Sequence, residues 1–178
     1  MNLILLPGNG LSNKSWILDV AKCMEDLFDK TYVQSYEHWK TGSTSENIDM
    51  TQEEEKLTDL LKDMQEYSIF AKSAGAILTM KAIFDKKIHP SYCIFTGFAY
   101  NFAKRNNFDI DLWLKDFNIP TLLIQKSFDP EFSFLELKDF WQQQNAQNYS
   151  LIEIEGSNHE YEDMVQLHNM VKIYQSQQ

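Results

Sequence analysis

Apolar positions along the chain fall into two spacings that alternate from one end to the other. Short runs with few or no breaks predict strands at Leu3–Leu6, Thr31–Tyr36, the stretch ending Ile69-Phe70-Ala71-Lys72, Tyr92–Thr96, Pro120–Gln125 and Tyr149–Ile154. Unbroken apolar runs of this length suit strands covered on both faces, and the more polar Thr31–Tyr36 suits a place nearer a sheet edge. Between them the spacing changes to three and four. Trp16, Val20, Cys23 and Leu27 share one helical face, as do Leu57, Leu60, Leu61 and Met64. Thr51-Gln52-Glu53-Glu54 reads as the capping box that opens the second of these helices. Further helices are expected over Ala76–Phe84, around Phe132, Leu135, Phe140 and Trp141, and around Met164, Leu167, Val171 and Tyr174. A polar loop over His38–Met50, an aromatic-rich connection over Gly97–Asn118 with room for a helix, and a glutamine/asparagine-rich turn after Trp141 complete the chain.

Strands alternating with helices over the whole length imply an α/β fold. The expectation is a three-layer sandwich around a mostly parallel, six-stranded sheet, with residues 1–178 forming one domain. Right-handed crossovers bring the loops that follow the strands to one edge, and ligands bind there at the topological switch point. The loop Gly8–Gly10, Ser73, Asp129 and His159 all follow expected strands. Four stretches distant in sequence therefore converge on one rim.

Composition narrows the possible partners. The chain has 178 residues, 43% hydrophobic and 24% charged, enough for a real core and unlike a disordered polymer. Its formal net charge of −10 argues against nucleic acid or an anionic membrane as the main partner. Cys23 and Cys93 stand far apart in apolar contexts and read as buried thiols in a reducing compartment. Met1–Pro7 has no basic flank and only four consecutive aliphatics, too few for a signal peptide or a membrane span, so a cytoplasmic location is expected. No pair among His38, His89 and His168 has the i, i+4 spacing of a helical metal site, and no structural metal is expected.

The candidate chemistry centres on Ile69-Phe70-Ala71-Lys72-Ser73-Ala74-Gly75-Ala76-Ile77. A β-prone stretch meets a helical one at a serine with very small residues two places to either side. A sharp strand-to-helix reversal needs this, because a bulkier side chain at 71 or 75 collides where the two elements nearly touch. The plainer alternative is a serine capping a helix N-terminus. A serine hydroxyl needs a neighbouring base, and the base needs a carboxylate on its far nitrogen. Asp129, its backbone restrained by Pro130, and His159, three residues after Gly156, follow Ser73 in that order. Glu131 and Asp139 are less well placed as the carboxylate, and plainer roles remain open: an Asp-Pro turn that caps a helix, and an exposed loop histidine. A tetrahedral intermediate also requires two backbone donors. The N–H of Ala74 is one candidate; Pro7-Gly8-Asn9-Gly10, followed by Trp16, resembles the oxyanion loop of the α/β-hydrolase superfamily, and that resemblance implies the N–H of Asn9, or less well Gly10, as the other. A phosphate-binding loop is the competing use of those glycines, but G-x-G-x-x-G and a Walker lysine are both lacking.

Taken together, these residues resemble the nucleophile elbow, oxyanion loop and Ser…Asp…His order of the α/β-hydrolase superfamily. Ala71 stands where the commonest elbow has glycine, and Pro7 where the oxyanion loop usually has histidine. The chain is similar to small single-domain serine hydrolases of the retinoblastoma-binding-protein and YdeN-like groups, a minimal form without a large lid that omits the two N-terminal strands of larger members. The resemblance implies hydrolysis of esters, thioesters or amides through an acyl-serine intermediate, without metal or cofactor. A small ester or acyl compound would be the substrate. An amidase or peptidase would use the same residues, and a non-catalytic binding module on this fold is the competing class. The aromatics Phe95, Phe98, Tyr100 and Phe102 suggest an apolar pocket or, equally open at this point, packing of the sheet edge.

Overall fold

Each expected strand forms close to its predicted bounds: β1 (Asn2–Leu6), β2 (Lys30–Val33), β3 (Tyr67–Lys72), β4 (Cys93–Thr96), β5 (Thr121–Lys126) and β6 (Tyr149–Ile154). The protein is described by a computed structural model covering residues 1–42, 47–115, 117–144 and 146–178. Residues 43–46 of the expected polar loop, residue 116 of the aromatic connection and residue 145 of the glutamine/asparagine-rich turn lie outside the described residues. The helices are α1 (Asn13–Cys23), α2 (Met50–Leu61), α3 (Ala74–Phe84), α4 (Tyr100–Arg105), α5 (Ile110–Leu114), α6 (Phe134–Gln143) and α7 (Met164–Gln175).

The strands form one parallel sheet in the order β2-β1-β3-β4-β5-β6. Alternate side chains of each strand enter opposite apolar layers. Leu3, Leu5, Phe70, Ile94, Leu122 and Ile124 pack with Trp16, Ile17 and Val20 of α1 and Leu167 and Val171 of α7. Ile4, Leu6, Ile69, Ala71, Phe95 and Leu123 face the other way, toward Leu57, Ile77, Met80, Leu137 and Trp141. The chain leaves β1 toward β2, then returns to place β3 on the other flank of β1. That reversal opens a crevice at the carboxyl ends of β1 and β3.

Several local expectations are corrected. Asp49, not Thr51, is the N-cap of α2, its carboxylate accepting from the backbone N–H groups of Thr51 and Gln52. Glu53, read as part of that capping box, is buried. It accepts from the Gln34 side chain at 2.9 Å and the Glu37 backbone at 2.6 Å. Strand β2 stops at Val33, beyond which Gln34 turns inward to Glu53 of α2 and Tyr36 to the carbonyl of Pro7. Leu135 is exposed and Leu137 takes its place in the core. Cys93 is a buried free thiol, whereas Cys23 is only partly covered. Phe95 and Phe98 are fully buried, Phe98 against Phe132, Phe140 and Trp141, so these two pack the sheet rather than line a pocket.

Candidate active site

Ser73 sits between β3 and α3 with φ +53° and ψ −116°, a conformation costly for any residue with a Cβ. Its hydroxyl makes no capping hydrogen bond to α3, which removes the reading of Ser73 as an ordinary cap. Its backbone N–H donates to Thr96 O at 3.2 Å, fixing the turn against the end of β4. Gly75 lies against β1: a Cβ there would come 2.3 Å from Leu6 O and 2.8 Å from Pro7 O. Both clashes are with backbone, so no side chain can rotate away. Gly75→Ala is expected to cost about 3 kcal/mol or more, at the upper end for overpacking, seen as a lower urea midpoint.

Asp129 and His159 meet above β5. His159 Nδ1 lies 2.9 Å from both carboxylate oxygens of Asp129. An ionised carboxylate can only accept, so Nδ1 carries the proton and Nε2 of a neutral ring presents a lone pair. That Nε2 is buried and has no hydrogen-bond partner among the described residues, Ser73 Oγ included. The ring lies against Gly97 (φ +58°), where a Cβ would come 3.2 Å from His159 Cε1. Ser73 is bonded to Thr96, the residue before Gly97. Serine and imidazole thus flank the same turn without a direct bond.

The Asp129 carboxylate is fully buried and well supplied with donors. Besides His159 it accepts from Tyr161 OH at 2.7 Å and from the Glu131 backbone at 2.9 Å. It does not cap α6, whose own capping box is Ser133 with Glu136. The Glu131 side chain pairs with Arg105, at 2.7 Å.

The loop after β1 is anchored from behind. Tyr36 OH donates to Pro7 O at 2.7 Å, and Trp39 Nε1 donates to Asn9 O at 2.9 Å. His38 Nε2 also faces Asn9 O at 2.9 Å, and Asn9 Oδ1 accepts from the Ile48 backbone at 2.7 Å. Asn13 secures Gly10 through its carbonyl. Since β1 pairs with β3 through Leu6 and Ala71, this loop stands beside the Ser73 turn. Ala74, buried at the first position of α3, has a backbone N–H that no helix hydrogen bond can use.

Three further side chains were not singled out from the sequence. Lys72 is buried, its Nζ 3.2 Å from the Glu160 carboxylate and 4.7 Å from the centre of the Trp16 ring. Burial pushes its pKa down, against the opposing pull of Glu160. Lys126 reaches Asn158 Oδ1 at 2.6 Å and also donates to Glu160 O. Tyr161 bonds Asp129 as described. A lysine closing an otherwise apolar run, just before the serine, was the one signal available for Lys72. Nothing local marks the other two. Among the described residues no cluster of His, Cys, Asp and Glu could hold a metal ion, and no helix is long and apolar enough to cross a membrane.

Comparison with solved structures identifies the architecture. The chain superimposes on Est1E from Butyrivibrio proteoclasticus, solved with ferulic acid, with a TM-score of 0.74 at 14% identity, covering 99% of this chain and 88% of that one. It matches α/β hydrolase domain-containing protein 10 from mouse with a TM-score of 0.70 at 14% identity, covering 99% and 90%. A YdeN-like hydrolase from Pectobacterium atrosepticum gives 0.64 at 15% identity, covering 97% and 91%. No protein-family model matches the chain, and no curated protein matches it by sequence. The fold is that of the α/β hydrolases.

Proposed function

We propose that this chain, with its α/β-hydrolase fold, is a serine hydrolase that cleaves carboxylic esters or thioesters through an acyl-serine intermediate. The observation that carries the reading is the Asp129–His159 pair, with Nδ1 committed to a buried carboxylate and Nε2 without a partner among the described residues, across one turn from the strained Ser73. Ser73 is the nucleophile, His159 the general base and Asp129 the carboxylate that fixes the tautomer. His159 Nε2 takes the Ser73 proton as Oγ bonds to the acyl carbon. The resulting oxyanion is met by the backbone N–H of Ala74 and, from the anchored loop, by that of Asn9. His159 then returns the proton to the departing alcohol or thiol, and a water repeats the sequence to release the acid. Every bond change is met by these groups, so the mechanism calls for no cofactor.

Two of the three structural neighbours are named as an α/β hydrolase domain-containing protein and a YdeN-like hydrolase, and the third, Est1E, was solved with ferulic acid bound; this supports hydrolytic chemistry on a small molecule. A cytoplasmic setting accords with two free thiols. The substrate is read as a small or flexible acyl compound, because α4 and α5 are short and α5 packs on α3 through buried Ile110 and Leu114.

The test is activity-based labelling of the folded protein with a fluorophosphonate, followed by p-nitrophenyl esters, thioesters and anilides of increasing acyl length. The expected result is phosphonylation mapped to Ser73 and turnover of the short esters. Labelling with turnover confined to anilides or peptides makes the chain an amidase. An unreactive Ser73 in well-folded protein leaves a binding module on a hydrolase fold.

A further inference from the structure

We propose that Tyr161 is a positioning residue for the Asp129–His159 pair, its hydroxyl holding the aspartate charge in the direction the imidazole needs. The inference rests on the catalytic reading above and extends it to a residue beyond the three reacting groups and the oxyanion donors.

Tyr161 is 2% exposed, and each part of it is used. Its hydroxyl donates to Asp129 Oδ2 at 2.7 Å while accepting from the backbone N–H of Lys126 at 3.0 Å. That second bond matters, because it settles the direction of the first: with a backbone donor already facing the phenol oxygen, the phenolic proton points at the carboxylate. The ring stands edge-on to His159 at 89° with centroids 6.3 Å apart. Its Cε2 edge fills the space above Gly97, where a Cβ would approach to 2.6 Å. Its carbonyl accepts from Trp16 Nε1 at 2.6 Å, tying the loop to α1. One side chain therefore touches the carboxylate, the imidazole and the turn beside Ser73.

The chemistry follows from charge. A phenol that donates to Oδ2 spreads part of the aspartate charge and keeps the carboxylate from rotating away from His159. Burial and the neighbouring carboxylate push the Tyr161 pKa far upward, so it stays a donor across the working pH range. The charged groups sharing this corner are Lys72 from β3, Lys126 from β5, Glu160 in the same loop, and Glu131 held by Arg105. All are kept when only the hydroxyl is removed. Without the donor, the aspartate charge concentrates on the imidazole side and favours imidazolium, so His159 holds its proton to higher pH. At the same time the pair loses its fixed geometry, which lowers the chemical step more than binding.

The experiment compares wild type with Tyr161→Phe in the full chain. It measures thermal midpoint, kcat and KM on p-nitrophenyl acetate, the pH profile of kcat/KM, and the His159 titration by NMR of labelled imidazole. Expected are a kcat lower by about tenfold, a KM within about twofold, and an acid limb and NMR midpoint moved up by roughly half a pH unit. A folded Tyr161→Phe with unchanged kcat and an unmoved midpoint overturns the proposal, since a packing role alone shifts neither. If Tyr161→Phe does not fold, difluorotyrosine placed at 161, a stronger donor, must move the NMR midpoint downward; no movement overturns the proposal equally. The NMR arm needs no turnover. A wild type without esterase activity whose midpoint still moves defeats the hydrolase reading and leaves the Tyr161–Asp129 coupling standing.

Discussion

Ser73→Ala protein is expected to fold normally, to lose all fluorophosphonate labelling, and to hydrolyse p-nitrophenyl acetate at least a thousandfold more slowly than wild type. The reaction as proposed forms a covalent bond to Oγ, and alanine leaves nothing to take its place. Whatever rate remains comes from the backbone donors and from binding alone, a small residue of the whole. Stability separates this from a trivial loss of fold. Alanine keeps the unfavourable φ of +53°, so the Ser73→Ala urea midpoint should stay near wild type. Ser73→Gly removes the steric cost of the elbow, about 1–3 kcal/mol, and adds back roughly 0.5–1 kcal/mol of backbone entropy. It should therefore be more stable than wild type by about 1 kcal/mol while equally inactive. Retained ester turnover in Ser73→Ala sinks the nucleophile assignment.

The second large effect is expected at Asp129. Replacing one oxygen of its carboxylate by an amide nitrogen leaves shape and volume almost intact. The amide keeps the shape of the group between Tyr161, Glu131 and His159, but its NH2 no longer accepts from a donor there, and a neutral group no longer obliges Nδ1 to carry the proton. The ring can then present a protonated Nε2 to Ser73, which cannot accept. A comparable change in serine proteases lowers kcat by about ten-thousand-fold, and a loss of that order is expected for Asp129→Asn, with KM little altered. Ser73 labelling should slow in parallel, because phosphonylation uses the same base. The partial recovery of rate at high pH, as hydroxide takes over as base, distinguishes a tautomer defect from a collapsed site. Equal turnover in Asp129→Asn and wild type would assign the orienting carboxylate elsewhere.

The difference between what was legible and what was not follows from the range of the forces involved. Leu3–Leu6 and Ile69–Ala71 are apolar without a break because both sheet faces are covered, and that pattern survives in one dimension. Ala71, Ser73 and Gly75 are legible for a similar reason: crowding at a strand-to-helix reversal acts within five residues. The Thr51 capping box was misread because Asp49, two residues earlier, offers an equally good acceptor, and local spacing cannot choose between them. Glu53 gave no sign of burial, since its partners, Gln34 and Glu37, lie on a different element. Phe95 and Phe98 could line a cleft or fill a core; Phe117 beside Phe95, and Phe140 and Trp141 of α6 beside Phe98, decide by occupying the space.

By itself the sequence determined the alternation of strands and helices, the chain order of Ser73, Asp129 and His159, and the small residues that let the turn at 73 close. These are matters of local sterics and of apolar periodicity, which act along the chain. Only the tertiary structure decided that Tyr161 bonds Asp129, that Lys72 is buried against Glu160 and Trp16, and that His159 Nδ1 meets the Asp129 carboxylate beside the Ser73 turn. Each depends on groups between 30 and 88 residues apart meeting at one edge of the sheet. The strand order sets such meetings, and no neighbouring residue records them.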